Sequence, residues 1–134
     1  MKFGYTIVYI PDVSASLDFF EKAFGLSRRF VHESGDYGEL DTGETTLAFA
    51  SNELGHMNLP CGFIAASASP KPLGFELAFV TSDIAQAHAV ALVAGATEIK
   101  APEAKPWGQV ASYVRCPAGI LVELCTPVGG QFAA

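Results

Sequence analysis

The hydrophobic pattern predicts a strand followed by a helix at two places in the chain. In the first copy, residues 5–10 are rich in β-branched and aromatic side chains, which is typical of a buried strand. Pro11 ends this strand, and Asp12 provides an oxygen that can cap a helix. Gly25 supplies a left-handed residue to end that helix. One face of the predicted helix is apolar at spacings of four and three, and it carries Val13, Leu17, Phe20 and Phe24.

Three short strands are predicted after this helix, at 27–33, 37–41 and 45–51, because turn residues separate the β-rich runs. In the last of them, alternation places Leu47 and Phe49 on one face and Thr46, Ala48 and Ala50 on the other. Residues 52–73 lack helical periodicity and contain several Gly and Pro residues, so we expect a loop that ends in a connector at about 65–73.

The second copy begins with a predicted strand at 75–80. Asp83 with Gln86 three residues later fits a capping box, and Gly95 ends the helix that it opens. The apolar face of this helix is predicted to carry Ile84, Ala87, Ala91 and Ala94. Further strands are expected at 98–101, 109–115 and 120–126, and the tail at 129–134 is expected to fray.

The order β-α-β-β-β therefore occurs twice, and it predicts an α+β fold. We expect a single domain over 1–134, with module one at about 1–64, a linker at about 65–73 and module two at about 74–128. Each sheet would bury one face under its helix, so the paired sheets would form a concave cleft.

Composition and charge exclude several classes of function. Half of the 134 residues are hydrophobic, and the net charge of −6 opposes binding to nucleic acid. The three cysteines, Cys61, Cys116 and Cys125, lack metal-type spacing and are expected to be reduced thiols. No apolar run approaches the ~20 residues needed to span a bilayer. We therefore predict a cytoplasmic protein with neither nucleic-acid nor membrane partners.

Four segments in the same order resemble the vicinal oxygen chelate superfamily, which includes glyoxalase I, bleomycin-resistance proteins and extradiol dioxygenases. The segments are Tyr-Ile-Pro-Asp-Val-Ser-Ala-Ser-Leu-Asp-Phe-Phe-Glu-Lys-Ala-Phe-Gly at 9–25, Phe-Val-Thr-Ser-Asp-Ile at 79–84, Lys-Pro-Trp-Gly at 105–108, and Arg-Cys-Pro-Ala-Gly-Ile-Leu-Val-Glu-Leu at 115–124. The resemblance implies paired βαβββ modules, a small-molecule cleft between them and, in many members, a homodimer. It does not name a reaction.

Metal-dependent members of the superfamily place ligands on the first and last strand of each module, and the resemblance maps those positions onto Tyr5, Ala48, Glu76 and Glu123. Only the two glutamates are good donors, whereas nickel or zinc normally needs three or four. Glu76, Glu123 and water could hold Mg²⁺ or Mn²⁺ weakly. A bound metal is therefore not the favoured prediction. In the alternative, a divalent-metal lyase or isomerase of the glyoxalase type, Glu76 and Glu123 are the ligands and Glu123 is also the candidate catalytic residue.

Glu123 lies inside the apolar run 120–124, so it must find a cation, accept hydrogen bonds or take a proton. A second carboxylate from Glu76 in the same cleft would favour a cationic ligand. The structural alternatives are a Glu123 paired with Arg115, a Lys or a backbone N–H, and a solvated Glu76. The resemblance to bleomycin-resistance proteins implies that Trp107 lines the cleft, although packing on its own module is the alternative.

The remaining candidate ligand contacts are Tyr5, Ala48, Phe49 and Tyr113, with ordinary core packing as the alternative for the aromatic residues. Surface or packing roles are expected for His32, His56 and His88. Our first interpretation is a metal-independent protein that binds a small molecule, either cationic or aromatic. The glyoxalase-type lyase is the second interpretation, and a scaffold with a vestigial pocket is the third. The sequence does not decide whether the protein is an enzyme.

Overall fold

Each half of the chain contains one four-stranded mixed sheet covered by one long helix. The computed structural model describes residues 1–128, which divide into two compact units, one at Met1–Ser69 and one from Pro70 onward. The first unit contains β1 (Tyr5–Ile10), α1 (Val13–Phe24), β2 (Ser27–Val31), β3 (Tyr37–Asp41), β4 (Thr46–Ser51), α2 (Asn52–Asn58) and a 3₁₀ turn (Ala66–Ala68). The second contains β5 (Leu77–Val80), α3 (Ile84–Ala94), β6 (Thr97–Ala104), β7 (Val110–Arg115) and β8 (Leu121–Cys125). The predicted α+β class with two βαβββ modules is confirmed, and the tail at 129–134 lies outside the described residues.

Both sheets have the same topology. The first has strand order β1-β4-β3-β2 and the second β5-β8-β7-β6, with the opening strand parallel to the closing one in each. Ile7 pairs with Ala48 in the first sheet, and Ala78 pairs with Glu123 in the second. Ala48 and Glu123 therefore occupy equivalent positions in the two units. Tyr5 and Glu76 are also equivalent, because each stands two residues before the paired residue of its opening strand.

Side-chain caps begin both long helices where the sequence predicts them. The Asp12 carboxylate accepts a hydrogen bond from the Ala15 backbone N–H at 3.0 Å, and the Asp83 carboxylate accepts one from Gln86 at 3.1 Å. The reciprocal bond of the predicted capping box is replaced, because the Asp83 N–H donates to Thr81 Oγ1. Gly25 ends α1 at a φ of 70°, a left-handed conformation that favours glycine.

The predicted loop at 52–73 is wrong at its start, where α2 forms. Ser51 caps this helix by accepting a hydrogen bond from the Leu54 N–H at 3.1 Å. Two turns are too short to display helical periodicity in the sequence. Gly55 is required at its position, because an added Cβ would lie 2.6 Å from the Phe63 ring. That ring stacks between Tyr9 and His56, with centroid distances of 5.0 and 4.7 Å.

A hydrophobic core lies between the helix and one face of the sheet in each unit. In the first unit, Phe20 of α1 packs on Phe49 of β4 with ring centroids 4.9 Å apart. In the second unit, α3 buries Ile84 and Ala91 as predicted, but it buries His88 rather than Ala87. The His88 ring bridges two elements, because Nδ1 lies 2.9 Å from Ser112 Oγ and Nε2 lies 2.8 Å from Glu98 Oε2. His88 therefore has a packing role.

Strand β6 forms the outer edge of the second sheet, and all eight of its residues are exposed. Its pairing with β7 shifts register twice, between Glu98 and Lys100 and between Lys100 and Glu103. Lys100 and Glu103 form an ion pair at 2.9 Å, and Pro102 stands between them in the sequence.

All three cysteines are free thiols, with Cys61 exposed and Cys116 and Cys125 buried. Within residues 1–128, no helix has both the length and the apolar character required to cross a bilayer.

Candidate functional site

The face of the second sheet opposite α3 carries both carboxylates that the sequence singles out. Alternation along β8 places Val122 and Leu124 in the core and Glu123 on the other face. The ladder sets Glu123 between Ala78 of β5 and Tyr113 of β7. Glu76 precedes β5 on the same face as Ala78. We call Glu76, Glu123, Tyr113 and Cys125 the acidic cluster.

The members of the acidic cluster lie close together around Glu123. The Tyr113 hydroxyl donates to Glu123 Oε1 at 2.9 Å, and the Glu123 carboxyl group is near enough to Glu76 to raise the pKa of Glu76. In the part of the chain that the structure describes, neither glutamate forms a salt bridge. Arg115, the predicted alternative partner of Glu123, donates instead to the backbone oxygens of Gly119 and Pro70. Within residues 1–128, two carboxyl groups are therefore brought together without a salt bridge to Lys or Arg.

This arrangement favours the protonated forms of three cluster members. Partial burial raises the pKa of Glu76, and the neighbouring Glu123 carboxylate raises that pKa further. Burial and the hydrogen bond to Glu123 raise the pKa of Tyr113 to about 12. Burial and the neighbouring Glu123 carboxylate raise the pKa of the Cys125 thiol, whose Sγ donates to the Phe79 backbone oxygen at 3.8 Å. Cys125 is therefore a protonated thiol at neutral pH rather than a nucleophilic thiolate.

The raised pKa of Glu76 predicts a specific dependence of stability on pH. A carboxyl group whose pKa is raised by folding binds more protons in the folded state, so stability is lost as pH rises above its usual pKa of 4.5. We expect the Glu76→Gln variant to lose less stability than the parent between pH 4.5 and 8, as measured by urea unfolding.

Glu103→Gln is the matched control, because its ion pair with Lys100 lowers the pKa of Glu103. The Glu103 ion pair therefore contributes stability above the usual pKa of the carboxyl group, and this contribution is lost as pH falls. A Glu76→Gln variant whose stability parallels that of the parent across this range would contradict the coupling of Glu76 to Glu123.

The first sheet has different chemistry at the equivalent positions. Tyr5 is exposed, and Ala48 is fully buried between Ile7 and Glu39 in the ladder. Glu39, which sequence reasoning missed, therefore places a carboxylate beside the Ala48 methyl group. Its Oε2 accepts from the Tyr37 hydroxyl at 2.8 Å, and its Oε1 lies 3.4 Å from Arg29 Nε. Alternation with buried Leu40 could have identified its face, but the pairing with Ala48 is long-range.

Two predicted ligand contacts lie outside the acidic cluster. Phe49 is fully buried on the helix-covered face and belongs to the core of the first unit. Trp107 is 64% exposed in the turn between β6 and β7, where its Nε1–H donates to Gln109 Oε1 at 2.7 Å. Lys105 from the same turn places Nζ 5.7 Å from the centroid of the Tyr113 ring. The turn that carries Trp107 therefore borders the acidic cluster.

The histidines contribute nothing to this cluster. His32 bonds to Ser34 through Nδ1 at 2.8 Å, His56 stacks on Phe63, and His88 is buried under α3.

The four positions that the resemblance maps onto metal ligands do not form a complete donor set in this chain. Ala48 has no donor atom, and Tyr5 offers only a phenol, so Glu76 and Glu123 are the two good ligands. Across residues 1–128, no group of three or more His, Cys, Asp and Glu side chains is placed to hold a metal ion. These residues do not fit a nickel, zinc or iron centre.

Comparison with known proteins places the chain in a family. Residues 2–124 match the model of the Glyoxalase/Bleomycin resistance protein/Dioxygenase superfamily. No curated protein gives a significant match. A glyoxalase/bleomycin resistance protein/dioxygenase family enzyme from Burkholderia phytofirmans PsJN is similar in structure, with a TM-score of 0.78, 22% identity and coverage of 94% of this chain and 98% of that one.

A glyoxalase-related enzyme from Fulvimarina pelagi has a TM-score of 0.81 and 20% identity, with coverage of 100% of this chain and 99% of that one. Similarity at this level of identity establishes the fold, whereas the match to the family model covers nearly the whole sequence. The chain therefore belongs to the Glyoxalase/Bleomycin resistance protein/Dioxygenase superfamily.

Proposed function

We propose that this protein binds a small organic cation through the acidic cluster and does so without a resident catalytic metal. The two neighbouring carboxyl groups of Glu76 and Glu123 on one sheet face, with no salt bridge to either among residues 1–128, are the observation that carries the proposal. Two neighbouring carboxylates repel each other, which contributes to the raised pKa of Glu76. An ammonium group can relieve this repulsion and pair with both carboxylates.

The neighbouring aromatic groups support the same class of ligand. The Tyr113 hydroxyl fixes one Glu123 oxygen, and its ring already attracts the Lys105 ammonium. Trp107 lies exposed two residues beyond Lys105 and presents an indole to the solvent near this face. An aromatic amine could therefore pair with Glu123 and stack on an aromatic side chain. Structural stabilisation of β8 by the Tyr113–Glu123 bond alone is the competing explanation.

The direct test compares benzylamine with benzyl alcohol, which has a similar shape but no charge. We expect benzylamine to bind more tightly, and Glu123→Gln to weaken its binding by about tenfold, the value for loss of one charge-assisted hydrogen bond. Trp107 is the only tryptophan, so its fluorescence reports binding, and calorimetry provides a second measurement. Trp107→Ala should also weaken binding of benzylamine in the calorimeter.

Glu103→Gln is the control, because it removes the same charge from exposed strand β6. Equal affinity for the amine and the alcohol would contradict the proposal.

The metal-dependent lyase is tested by calorimetric titration with Ni²⁺, Zn²⁺, Mn²⁺ and Mg²⁺. Stoichiometric binding tighter than millimolar that is lost in Glu123→Gln would overturn the metal-independent proposal. The homodimer and the cytoplasmic location remain predictions from the sequence.

A further inference from the structure

A β-bulge in the first sheet places two consecutive side chains on the face opposite α1. Arg28 pairs with Leu40, whereas Phe30 pairs with Glu39, so Arg29 is the extra residue between them. Arg28 accordingly turns to the helix side, where it forms ion pairs with Asp18 and Glu21 of α1. Arg29 and Phe30 both lie on the open face with Glu39. Bulges of this kind often redirect a side chain toward a site.

The Arg29 guanidinium is held in place by two neighbouring strands. Its Nη2 donates to Thr46 Oγ1 of β4 at 2.9 Å, and its Nε lies 3.4 Å from Glu39 Oε1 of β3. Thr46 is buried, and Glu39 is further fixed by the Tyr37 hydroxyl at 2.8 Å. The guanidinium is therefore oriented before any ligand arrives, which lowers the entropic cost of binding.

Most of the hydrogen-bonding capacity of Arg29 is unused. A guanidinium has five N–H donors, of which Thr46 and Glu39 take one each. The other three, two on Nη1 and one on Nη2, have no partner among residues 1–128. The side chain is 45% exposed, so part of it is accessible to a ligand. A carboxylate can accept two parallel hydrogen bonds from a guanidinium.

Exposed apolar side chains lie on the same face of the sheet as Arg29. Phe30 and Ile7 belong to one row of the ladder, which passes through Ala48 and Glu39, and both are exposed. Tyr5 is exposed two residues before Ile7 on β1. An apolar body attached to a carboxylate would therefore have exposed hydrocarbon and aromatic surface to cover.

The competing explanation is that Arg29 serves only to neutralise Glu39. One contact of 3.4 Å is a weak ion pair, whereas Arg28 on the other face is bound by two carboxylates. A guanidinium needed only as a counter-ion would not require the additional bond to Thr46. We propose that Arg29 is a binding site for the carboxylate of a small molecule with an aromatic or aliphatic body. This proposal does not depend on the acidic cluster.

The experiment titrates the ¹⁵N-labelled protein with benzoate and, separately, with benzamide, which is uncharged. We expect benzoate to shift the Arg29 Nε–Hε signal and the amide signals of Phe30 and Thr46, with benzamide at least about tenfold weaker. In Arg29→Gln the affinity for benzoate should fall by about tenfold and become similar to that for benzamide. Arg29→Lys retains the charge but loses the bidentate geometry, so its affinity for benzoate should lie between those of the parent and Arg29→Gln.

Arg28→Gln is the matched control, because it removes the same charge one residue away on the opposite face. We expect benzoate to bind this variant as it binds the parent. An equal loss of benzoate affinity in Arg28→Gln and Arg29→Gln would show a general effect of net charge and overturn the proposal. Equal binding of benzoate and benzamide to the parent, or no shift with benzoate at high millimolar concentration, would also overturn it. Failure of benzylamine binding to the acidic cluster would leave this result unaffected.

Discussion

We expect replacement of Phe49 by alanine to lower the free energy of unfolding by about 3–5 kcal/mol, as for other fully buried phenylalanines. Phe49 has no exposed surface, and its ring packs on Phe20 of α1 at a centroid distance of 4.9 Å. The truncation would leave a cavity between helix and sheet that rigid β4 cannot close. Urea unfolding followed by circular dichroism measures the change.

Phe3→Ala provides the control, because Phe3 is largely exposed and its loss should cost less than about 1 kcal/mol. A loss of less than about 1 kcal/mol in Phe49→Ala would contradict the assignment of Phe49 to the core. The result also bears on function. The sequence interpretation included Phe49 among the ligand contacts, whereas the structure gives it a packing role on the face away from Ala48.

Replacement of His88 by alanine should cost about 2–4 kcal/mol, the second-largest effect that we expect. His88 connects α3 to two strands through Ser112 Oγ on β7 and Glu98 on β6. Removal of the ring leaves a cavity and deprives the fully buried Ser112 hydroxyl of its partner. A buried hydroxyl without a hydrogen-bond partner lowers stability by itself. Replacement of both hydrogen-bond partners by apolar groups costs less stability.

The double variant His88→Leu/Ser112→Ala distinguishes these contributions. It replaces both polar groups by apolar ones, so it should be clearly more stable than His88→Ala. His32→Ala is the control, since His32 is exposed and the hydrogen bonds of its ring are to Ser34, two residues away. Unfolding of His88→Ala within about 0.5 kcal/mol of the parent would show that the His88 bridge does not stabilise the second unit.

The strands and long helices could be predicted because their determinants are local. Asp12 and Asp83 cap α1 and α3, and β1 and β3 have the predicted bounds. Helix α2 escaped prediction because its two turns show no period and depend on a Ser51 cap beside Gly55. His88 could have been found, since it lies at the fourth position after Ile84 and the third before Ala91, on one helical face.

The contacts within the candidate sites could not be predicted from the sequence, because they depend on how the strands pair. Alternation put Glu123 on the open face, but its bond to Tyr113 depends on the register between β7 and β8, which residue types alone do not reveal. The position of Arg29 depends on the bulge in β2. Regular alternation would have placed Arg29 and Phe30 on opposite faces of the sheet. Long-range register and local irregularity therefore decided which polar groups meet.

The outer edge of the second sheet is poorly suited to recruit a strand from another chain. An edge strand exposes unpaired N–H and C=O groups that can extend a sheet across molecules. In β6, two register shifts interrupt this row, Pro102 lacks an N–H, and the charges of Lys100 and Glu103 would be desolvated by an added strand. At high concentration, sheet-to-sheet aggregation through β6 is therefore disfavoured, and a dimer of this protein would need a different contact surface.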